Sequence, residues 1–319
     1  MNSQTQRIAA TDGIHGARRE AVYFSHLDAL EAEAIFILRE VAAECRNPAL
    51  LYSGGKDSAV VLHLAYKAFH PERIGFTLLH VDTGHNYPEV LAYRDRMSGR
   101  YGCTLKVAEV EDSIRRGSVR LCHDLEPRNP HQSVTLLEAI ADLEFDACIG
   151  GARRDEEKAR AKERIFSFRD EFGQWNPKRQ RPELWELYNA HVRPGENIRV
   201  FPISNWTELD VWQYIEQEGI ELPSIYFAHE RDVVRRGDLL VPVTPLTPPR
   251  PGATVERVRC RFRTVGDITC TAPVESAAAT VAEIIRETIE TRVTERGATR
   301  LDDQVSEAAM EQRKKEGYF

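Results

Sequence analysis

The sequence predicts an α/β fold, a doubly wound parallel sheet followed by a C-terminal extension. Short apolar runs alternate with amphipathic helical segments over residues 23–220, as expected for parallel strands joined by right-handed crossovers. After about residue 240 the helical spacing of apolar residues gives way to a proline-rich segment. Apolar and basic residues then alternate. The 319 residues are 42% hydrophobic and 29% charged, which is the balance of a globular protein.

The elements of the α/β part follow from apolar spacing and from end signals. Ser25 with Asp28, and Thr207 with Asp210, are capping boxes, and Pro88 suits the first position of a helix. Helical spacing predicts helices over residues 27–45, 59–69, 89–101, 133–143 and 208–218. Apolar runs predict buried strands over residues 49–52, 74–81, 105–110 and 146–149.

The last third of the chain has a different texture. Five prolines between residues 242 and 251 predict an extended connector, and apolar spacing predicts a helix near residues 281–289. Arginines alternate with apolar residues over 257–263, which predicts a half-buried strand whose basic face serves catalysis, a partner or only solvent. We therefore expect three parts, listed in chain order: a flexible N-terminus (1–22), a nucleotide-binding α/β domain (23–220), and a partner-binding, partly flexible C-terminal extension (221–319).

A turn between the first predicted strand and its helix carries the clearest chemistry, and we call it the glycine loop (residues 53–58). Helix N-terminal amides favour anions, and paired glycines let the backbone approach phosphate oxygens closely. A Walker A loop needs four residues between its glycine and its Gly-Lys pair, a spacing that is missing here. Asp57 suits a phosphate site only if it meets a magnesium ion or caps the helix. The residues predicted to bind ATP are Ser53, Gly54, Gly55, Lys56, Asp57 and Ser58.

Two other predicted strands end at the same edge of the sheet. Ligands of open α/β sheets sit outside the carboxyl ends of the strands, so Val81 and Asp82, and then Gly150 and Gly151, are further nucleotide-binding candidates. His85 and Asn86 follow the second strand, and they belong either to the site or to a polar turn without a ligand.

A basic segment, the arginine run (residues 153–164), leaves the end of the fourth predicted strand. Arg154, Lys158 and Lys162 have the spacing of one stripe on a solvated helix. The alternative follows from position, because a second anion beside ATP needs guanidinium groups to screen it. Arg153 and Arg154 lie nearest the strand end and are, with Lys56, the predicted catalytic residues.

Charge and cysteine usage narrow the class of protein. A net charge of −7 disfavours nucleic-acid binding, and no apolar run approaches the roughly 18 residues of a membrane span. The N-terminus lacks a signal-peptide core, so we expect a cytoplasmic protein. The six cysteines are dispersed without a C-x-x-C pair, and we predict free thiols and no metal held by protein ligands.

These motifs together resemble a known family. The Ser-Gly-Gly-Lys-Asp-Ser loop is similar to the pyrophosphate loop of the N-type ATP pyrophosphatases, which cut ATP between the α- and β-phosphates. Four further segments resemble the 3′-phosphoadenylylsulfate reductase family, and within it the small catalytic subunits of bacterial heterodimeric sulfate adenylyltransferases: residues 80–84, 150–170, 199–208 and 261–264.

The resemblance implies an adenine nucleotide alpha hydrolase-like fold and a reaction in which ATP and sulfate give adenylyl sulfate and pyrophosphate, the first step of sulfate assimilation towards cysteine. It implies magnesium bound through the phosphates of ATP, and a GTPase large subunit as the heterodimer partner. Because adenylyl sulfate is high in energy, GTP hydrolysis would drive its formation. A Walker A motif is absent from this sequence, so the GTPase is expected on another chain.

The sequence disfavours three alternative functions. The reductase branch resembles this fold but uses a cysteine within Glu-Cys-Gly-x-His near its C-terminus, and residues 299–319 contain no cysteine. A tRNA-modifying relative is expected to have paired cysteines or a basic surface. A regulatory nucleotide-binding module does not need the arginine run.

Overall fold

The computed structural model describes residues 25–123, 126–156, 162–170 and 173–290, and the statements below concern these residues. The flexible ends predicted over 1–22 and 299–319, and Lys158, lie outside them. The helices are α1 (His26–Glu44), α2 (Lys56–Phe69), α3 (Pro88–Arg100), α4 (Val110–Arg116), α5 (Gln132–Asp142), α6 (Glu208–Glu218) and α7 (Val281–Glu290). The strands are β1 (Pro48–Leu51), β2 (Thr77–Asp82), β3 (Leu105–Glu109), β4 (Ala147–Ile149), β5 (Phe166–Arg169), β6 (Asn197–Val200), β7 (His229–Arg236), β8 (Leu239–Pro242), β9 (Glu256–Arg261) and β10 (Val274–Glu275).

The main sheet has six strands in the order β3-β2-β1-β4-β6-β5. All its neighbouring pairs are parallel except β5 with β6, which is antiparallel. The four predicted strands are confirmed as β1 to β4. The strands β5 and β6 were missed because each is short and contains a buried arginine, Arg169 or Arg199, where an apolar residue is expected.

Helices cover both faces of this sheet, so the doubly wound prediction is confirmed. On one face α1, α2, α3 and α6 bury apolar residues against alternate strand positions such as Leu50 and Leu78. On the other face α5 packs on Ala49, Leu79 and Cys148. Adjacent residues of β1 thus belong to different cores, as the two-residue period of a strand requires.

The predicted helix ends are largely confirmed. Ser25 and Thr207 each form a complete capping box, and Gly219 ends α6 in a left-handed conformation. The exception is α2, which begins at Lys56, three residues before the predicted start. Its first turn therefore consists of residues of the glycine loop.

The C-terminal part forms a second sheet, antiparallel, in the order β10-β9-β7-β8. The proline-rich segment joins β8 to β9, and the predicted basic strand is β9. The prediction that its arginines form one basic face is wrong, however. Arg257 and Arg259 are exposed, but Arg261 is buried against Glu287 at 2.8 Å and Arg263, just beyond the strand, against Glu208 at 2.7 Å.

The C-terminal part also contacts the α/β layers directly. Ile284 and Ile285 of α7 are buried in the same core as α1 and α2. The domain boundary near residue 220 stays a prediction. Within the described ranges, the helices are all too short or too polar to cross a bilayer.

Candidate active site

A cleft opens at the carboxyl ends of β1, β2 and β4, where the order of the strands reverses along the sheet. Its cavity volume is about 230 Å³. Seven of the predicted site residues line it: Ser53, Gly55, Asp57, Ser58, Val81, Gly150 and Gly151. The other five predicted site residues are not among the residues that line the cleft: Gly54, Lys56, Asp82, Arg153 and Arg154.

The glycine loop is held in shape by short-range hydrogen bonds. The Gly55 N–H donates to Ser53 Oγ at 3.2 Å, and Ser58 Oγ donates to the Gly55 carbonyl at 2.9 Å. Gly54 has φ +77°, and a Cβ there would lie 2.8 Å from Val90 Cγ1. The conformation and the space at this position both require glycine.

Two cations lie beneath the loop and share one carboxylate. Lys56 Nζ is 2.9 Å from Asp57 Oδ2, and Arg153 Nε is 2.7 Å from Asp57 Oδ1. The side chains of Lys56 and Arg153 are 1% and 0% exposed. Burial opposes ionisation of Asp57, but Arg153 and Lys56 outweigh it and hold the pKa of this carboxyl below its usual value. Asp57 is thus paired with both cations, and Arg153 Nη1 also lies 3.7 Å from Asp155 Oδ2.

Gly151 brings the end of β4 against α2. A Cβ on Gly151 would lie 2.9 Å from the Asp57 carbonyl carbon and 3.1 Å from the Ser58 nitrogen. The neighbouring Gly150 N–H donates to the Val200 carbonyl at 2.8 Å, which continues the pairing with β6. The close contact of β4 with the first turn of α2 therefore depends on the missing side chain of Gly151.

The segment after β4 is not a helix where the structure describes it. Residues 154–156 form a turn, and residues 157–161 lie outside the described part. Arg154 donates to Asn205 Oδ1 at 2.5 Å and to the Glu163 carbonyl at 3.3 Å, and Asn205 in turn donates to Glu33. These contacts hold Arg154, which is not among the residues that line the cleft.

The end of β2 contributes polar groups through a hydrogen-bonded chain. His80 Nδ1 lies 2.8 Å from the Tyr52 carbonyl, Asn86 Nδ2 lies 3.3 Å from His80 Nε2, and Thr83 Oγ1 donates to Asn86 Oδ1 at 2.7 Å. Burial lowers the pKa of His80, against the opposing hydrogen bond to Tyr52, so the ring is neutral and Nε2 accepts from Asn86. Asn86 lines the cleft, and its role as a ligand contact stays a prediction.

Asp82 and His85 have structural partners instead. Asp82 Oδ1 accepts the Gly84 N–H at 2.7 Å, and Arg94 lies 3.8 Å from its other oxygen. His85 Nδ1 is buried 3.5 Å from Asp267 Oδ2. Burial opposes ionisation of Asp267, but His85 and Thr269 lower the pKa of its carboxyl. These contacts fasten the loop after β2 to the C-terminal part.

The opposite side of the cleft was missed in the sequence. It is formed by Tyr226 and by residues 264–267, all of them far beyond β4 in the sequence. The only signal was the resemblance that includes Thr264. Tyr226 itself sits in a single 3-10 turn and carries no local pattern of a ligand site.

Burial affects several of the cysteine thiols in the described residues. Burial raises the pKa of Cys45 to about 12 and that of Cys260 to about 11. Among the residues that the structure describes, none of the groupings of His, Cys, Asp and Glu could hold a metal ion.

The fold and the cleft define an α/β nucleotide enzyme, and comparison with known proteins identifies its family. Residues 47–273 match the phosphoadenosine phosphosulfate reductase domain, so the chain belongs to that family. The chain is 60% identical over 311 residues to sulfate adenylyltransferase subunit 2 of Streptomyces lavendulae, covering 98% of this chain and 97% of the relative. It is 60% identical over 313 residues to the protein of the same name from Mycolicibacterium gilvum, covering 98% and 100%. The chain is accordingly a nucleotidyltransferase of the sulfate adenylyltransferase subunit 2 group.

Solved structures give weaker likenesses. The phosphoadenylyl-sulfate reductase of Candida auris, in its phosphate complex, has a TM-score of 0.40 at 16% identity over 62% of this chain and 88% of that one. The FMN adenylyltransferase of Candida glabrata with ATP has a TM-score of 0.45 at 13% identity over 67% and 64%. At these scores neither says what this chain binds.

Proposed function

We propose that this chain transfers the adenylyl group of ATP to sulfate and releases pyrophosphate. A sulfate oxygen attacks the α-phosphorus, and the bond from that phosphorus to the oxygen bridging to the β-phosphate breaks. The observation that carries the proposal is the start of α2, where Ser53, Asp57 and Ser58 line the cleft beside the helix N-terminus and the cations Lys56 and Arg153 lie buried behind it. The names of the relatives support the choice of sulfate as acceptor.

The glycine loop is proposed to hold the β- and γ-phosphates. Ser53 supplies a hydroxyl donor, and Gly55 lets the backbone come close. Ser58 would supply a second donor by exchanging its hydrogen bond to the Gly55 carbonyl for one to phosphate. Lys56 and Arg153 act from behind the loop, as a fixed positive field rather than as direct ligands in the geometry described. Such fixed charge stabilises the departing pyrophosphate more in the transition state than in the ground state.

The nucleoside part of ATP is proposed to lie along the ends of β2 and β4. Val81, Gly150 and Gly151 line that side of the cleft. Asp82 lies next to it but is already bonded to the Gly84 N–H. A ribose contact by Asp82 would therefore use the carboxylate oxygen that faces Arg94.

Magnesium is proposed to arrive on the phosphates of ATP. It would screen the charge of the polyphosphate, and it keeps most of its water ligands in sites of this kind. Asp57 is the carboxylate nearest the loop, and both its oxygens already contact Lys56 or Arg153. The residues present therefore fit an ion held mainly by phosphates.

Sulfate is proposed to bind near Arg154 at the start of the arginine run. Sulfate is a dianion and a poor nucleophile with no proton to lose, so catalysis depends on positioning and on charge screening. Arg154 is half-buried and reachable, whereas Arg153 is enclosed beneath Asp57. The guanidinium of Arg154 would exchange its contact with Asn205 for sulfate oxygens.

The partner is proposed to be a GTPase large subunit, and the name subunit 2 of the relatives supports a complex with another chain. GTP hydrolysis would offset the unfavourable formation of adenylyl sulfate. The C-terminal extension remains our proposed docking region, and the cytoplasmic location stays a prediction. Deleting residues 295–319 is expected to weaken co-purification with the large subunit, and undiminished co-purification would remove that part of the proposal.

The decisive experiment is an assay of adenylyl sulfate formation, with and without the large subunit and GTP. Lys56→Ala is expected to abolish product, because it removes charge under the phosphates. Arg154→Ala is expected to raise KM for sulfate more than KM for ATP. Equal losses would assign Arg154 to the nucleotide, and no product from the wild type under either condition would refute the function.

A further inference from the structure

The glycine loop is tied to the C-terminal part of the chain by one side chain. Tyr226 lies in a 3-10 turn (Ser224–Tyr226) just before β7, and its hydroxyl accepts the Lys56 N–H at 2.9 Å. Tyr226 is 1% exposed and lines the cleft. The partners are 170 residues apart in sequence.

This hydrogen bond replaces a missing helix cap. A helix leaves its first amides without internal partners, and an N-cap side chain normally binds one of them. The N-cap of α2 is Gly55, which makes no side-chain hydrogen bond. A Cβ at Gly55 would lie 3.3 Å from the Tyr226 hydroxyl oxygen, so glycine leaves room for the remote cap.

The ring of Tyr226 is itself fixed from two sides. It packs edge-on against Trp212 of α6, with centroids 5.9 Å apart and an interplanar angle of 77°. The preceding carbonyl, that of Ile225, accepts the Phe262 N–H at 2.9 Å, just after β9. The position of the hydroxyl is therefore set jointly by α6 and by the second sheet.

We propose that Tyr226 is a positioning residue for the adenylyl transfer, which holds the first turn of α2 in the orientation that receives the phosphates. This inference rests on the proposed function. Because Tyr226 is anchored to the second sheet, the orientation of the glycine loop depends on the placement of the C-terminal part. A small misplacement of the phosphates moves the α-phosphorus out of line for attack, which lowers the rate.

The test is Tyr226→Phe, which removes the hydroxyl and keeps the ring. The matched control is Tyr87→Phe, which also removes a buried hydroxyl close to the second sheet, but one that makes no hydrogen bond in the described structure. The measurements are the Kd of a non-hydrolysable ATP analogue by calorimetry, turnover with the large subunit and GTP, and hydrogen exchange at the Lys56 amide.

For Tyr226→Phe we expect about a tenfold weaker Kd and a similar loss in kcat/KM for ATP, the size of one ordinary hydrogen bond. Exchange at the Lys56 amide accelerates, and Tyr87→Phe changes none of these quantities. A merely structural role would reduce the number of binding sites and the Tm but leave the Kd of the folded fraction unchanged, and that result would overturn the inference.

The two proposals fail in different ways. If the wild type does not bind the ATP analogue, the proposed function falls and the role of Tyr226 falls with it. If the wild type binds the analogue and Tyr226→Phe binds equally well with unchanged turnover, only the positioning role is refuted.

Discussion

Replacing Gly151 with alanine tests the contact on which the cleft depends. The added Cβ would meet the Asp57 carbonyl carbon at 2.9 Å, its Cβ at 3.0 Å and the Ser58 nitrogen at 3.1 Å. Ordinary contact begins at 3.4 Å, so the first turn of α2 must retreat by roughly 0.3–0.5 Å. The obstacles are mainly helix backbone, which cannot rotate away as a flexible side chain does.

We expect Gly151→Ala to lower the free energy of unfolding by about 1–3 kcal/mol, the usual cost of overpacking. ATP affinity should fall as well, because the displaced turn carries the amides proposed to receive the phosphates. Urea denaturation and calorimetry with a non-hydrolysable ATP analogue measure the two effects.

Gly99→Ala is the matched control for this substitution. Gly99 lies within α3, and a Cβ there has no atom within 4 Å among the described residues. The same chemical change should therefore raise the free energy of unfolding by about 0.5–1 kcal/mol, since alanine suits a helix better than glycine. If Gly151→Ala is as stable as the wild type and binds the analogue equally well, the reasoning from close packing is refuted.

Three further predictions concern charge and thiols. Asp57→Asn removes the carboxylate shared by Lys56 and Arg153, so the free energy of unfolding should fall by about 1.5–3 kcal/mol in urea titrations; no change would mean that other groups compensate both cations. Because the pKa values of Asp57 and Asp267 are lowered from 3.8, the stability they contribute is complete above that pH and is lost as the pH falls through their folded values. Urea titrations should show this loss only in acid, and a loss near neutral pH would contradict the assignment. Cys122 is the exposed cysteine, so one thiol should react rapidly in the native protein and Cys122→Ser should remove that phase; a fast phase that survives would contradict the burial of four other cysteines and the partial burial of Cys103.

The sequence was most informative where local chemistry decides the structure. Both capping boxes and β1 to β4 were predicted, because side-chain caps and apolar runs act over a few residues. The strands β5 and β6 escaped, because the buried Arg169 and Arg199 interrupt their apolar character, and Arg169 pairs with Glu163 at 2.8 Å. The second sheet escaped, apart from β9, because antiparallel pairing over long loops leaves little local pattern.

In the candidate site, too, the residues that follow local patterns were predicted and those that depend on long-range contacts were not. The glycine loop and the ends of β2 and β4 follow from the rule that ligands bind at the carboxyl edge of a parallel sheet, and seven of those residues line the cleft. That Arg153 lies under the loop could not be predicted, since its ion pair with Asp57 joins residues 96 positions apart. The position of Tyr226 in the cleft could not be predicted, because it depends on how the C-terminal part packs against the α/β layers.

That folding back has a consequence for how the enzyme is made. A ribosome adds about 5–20 residues per second, so roughly 10–40 s separate the synthesis of Ser58 from that of Asp267. Domains tend to fold as they emerge, and the sheet from β1 to β6 is complete before Tyr226 has been added. During that interval the nascent chain has a glycine loop without its remote cap and a cleft with one side open. On the proposed function, competence to bind ATP is therefore expected late in biosynthesis, once the second sheet has been made and packed.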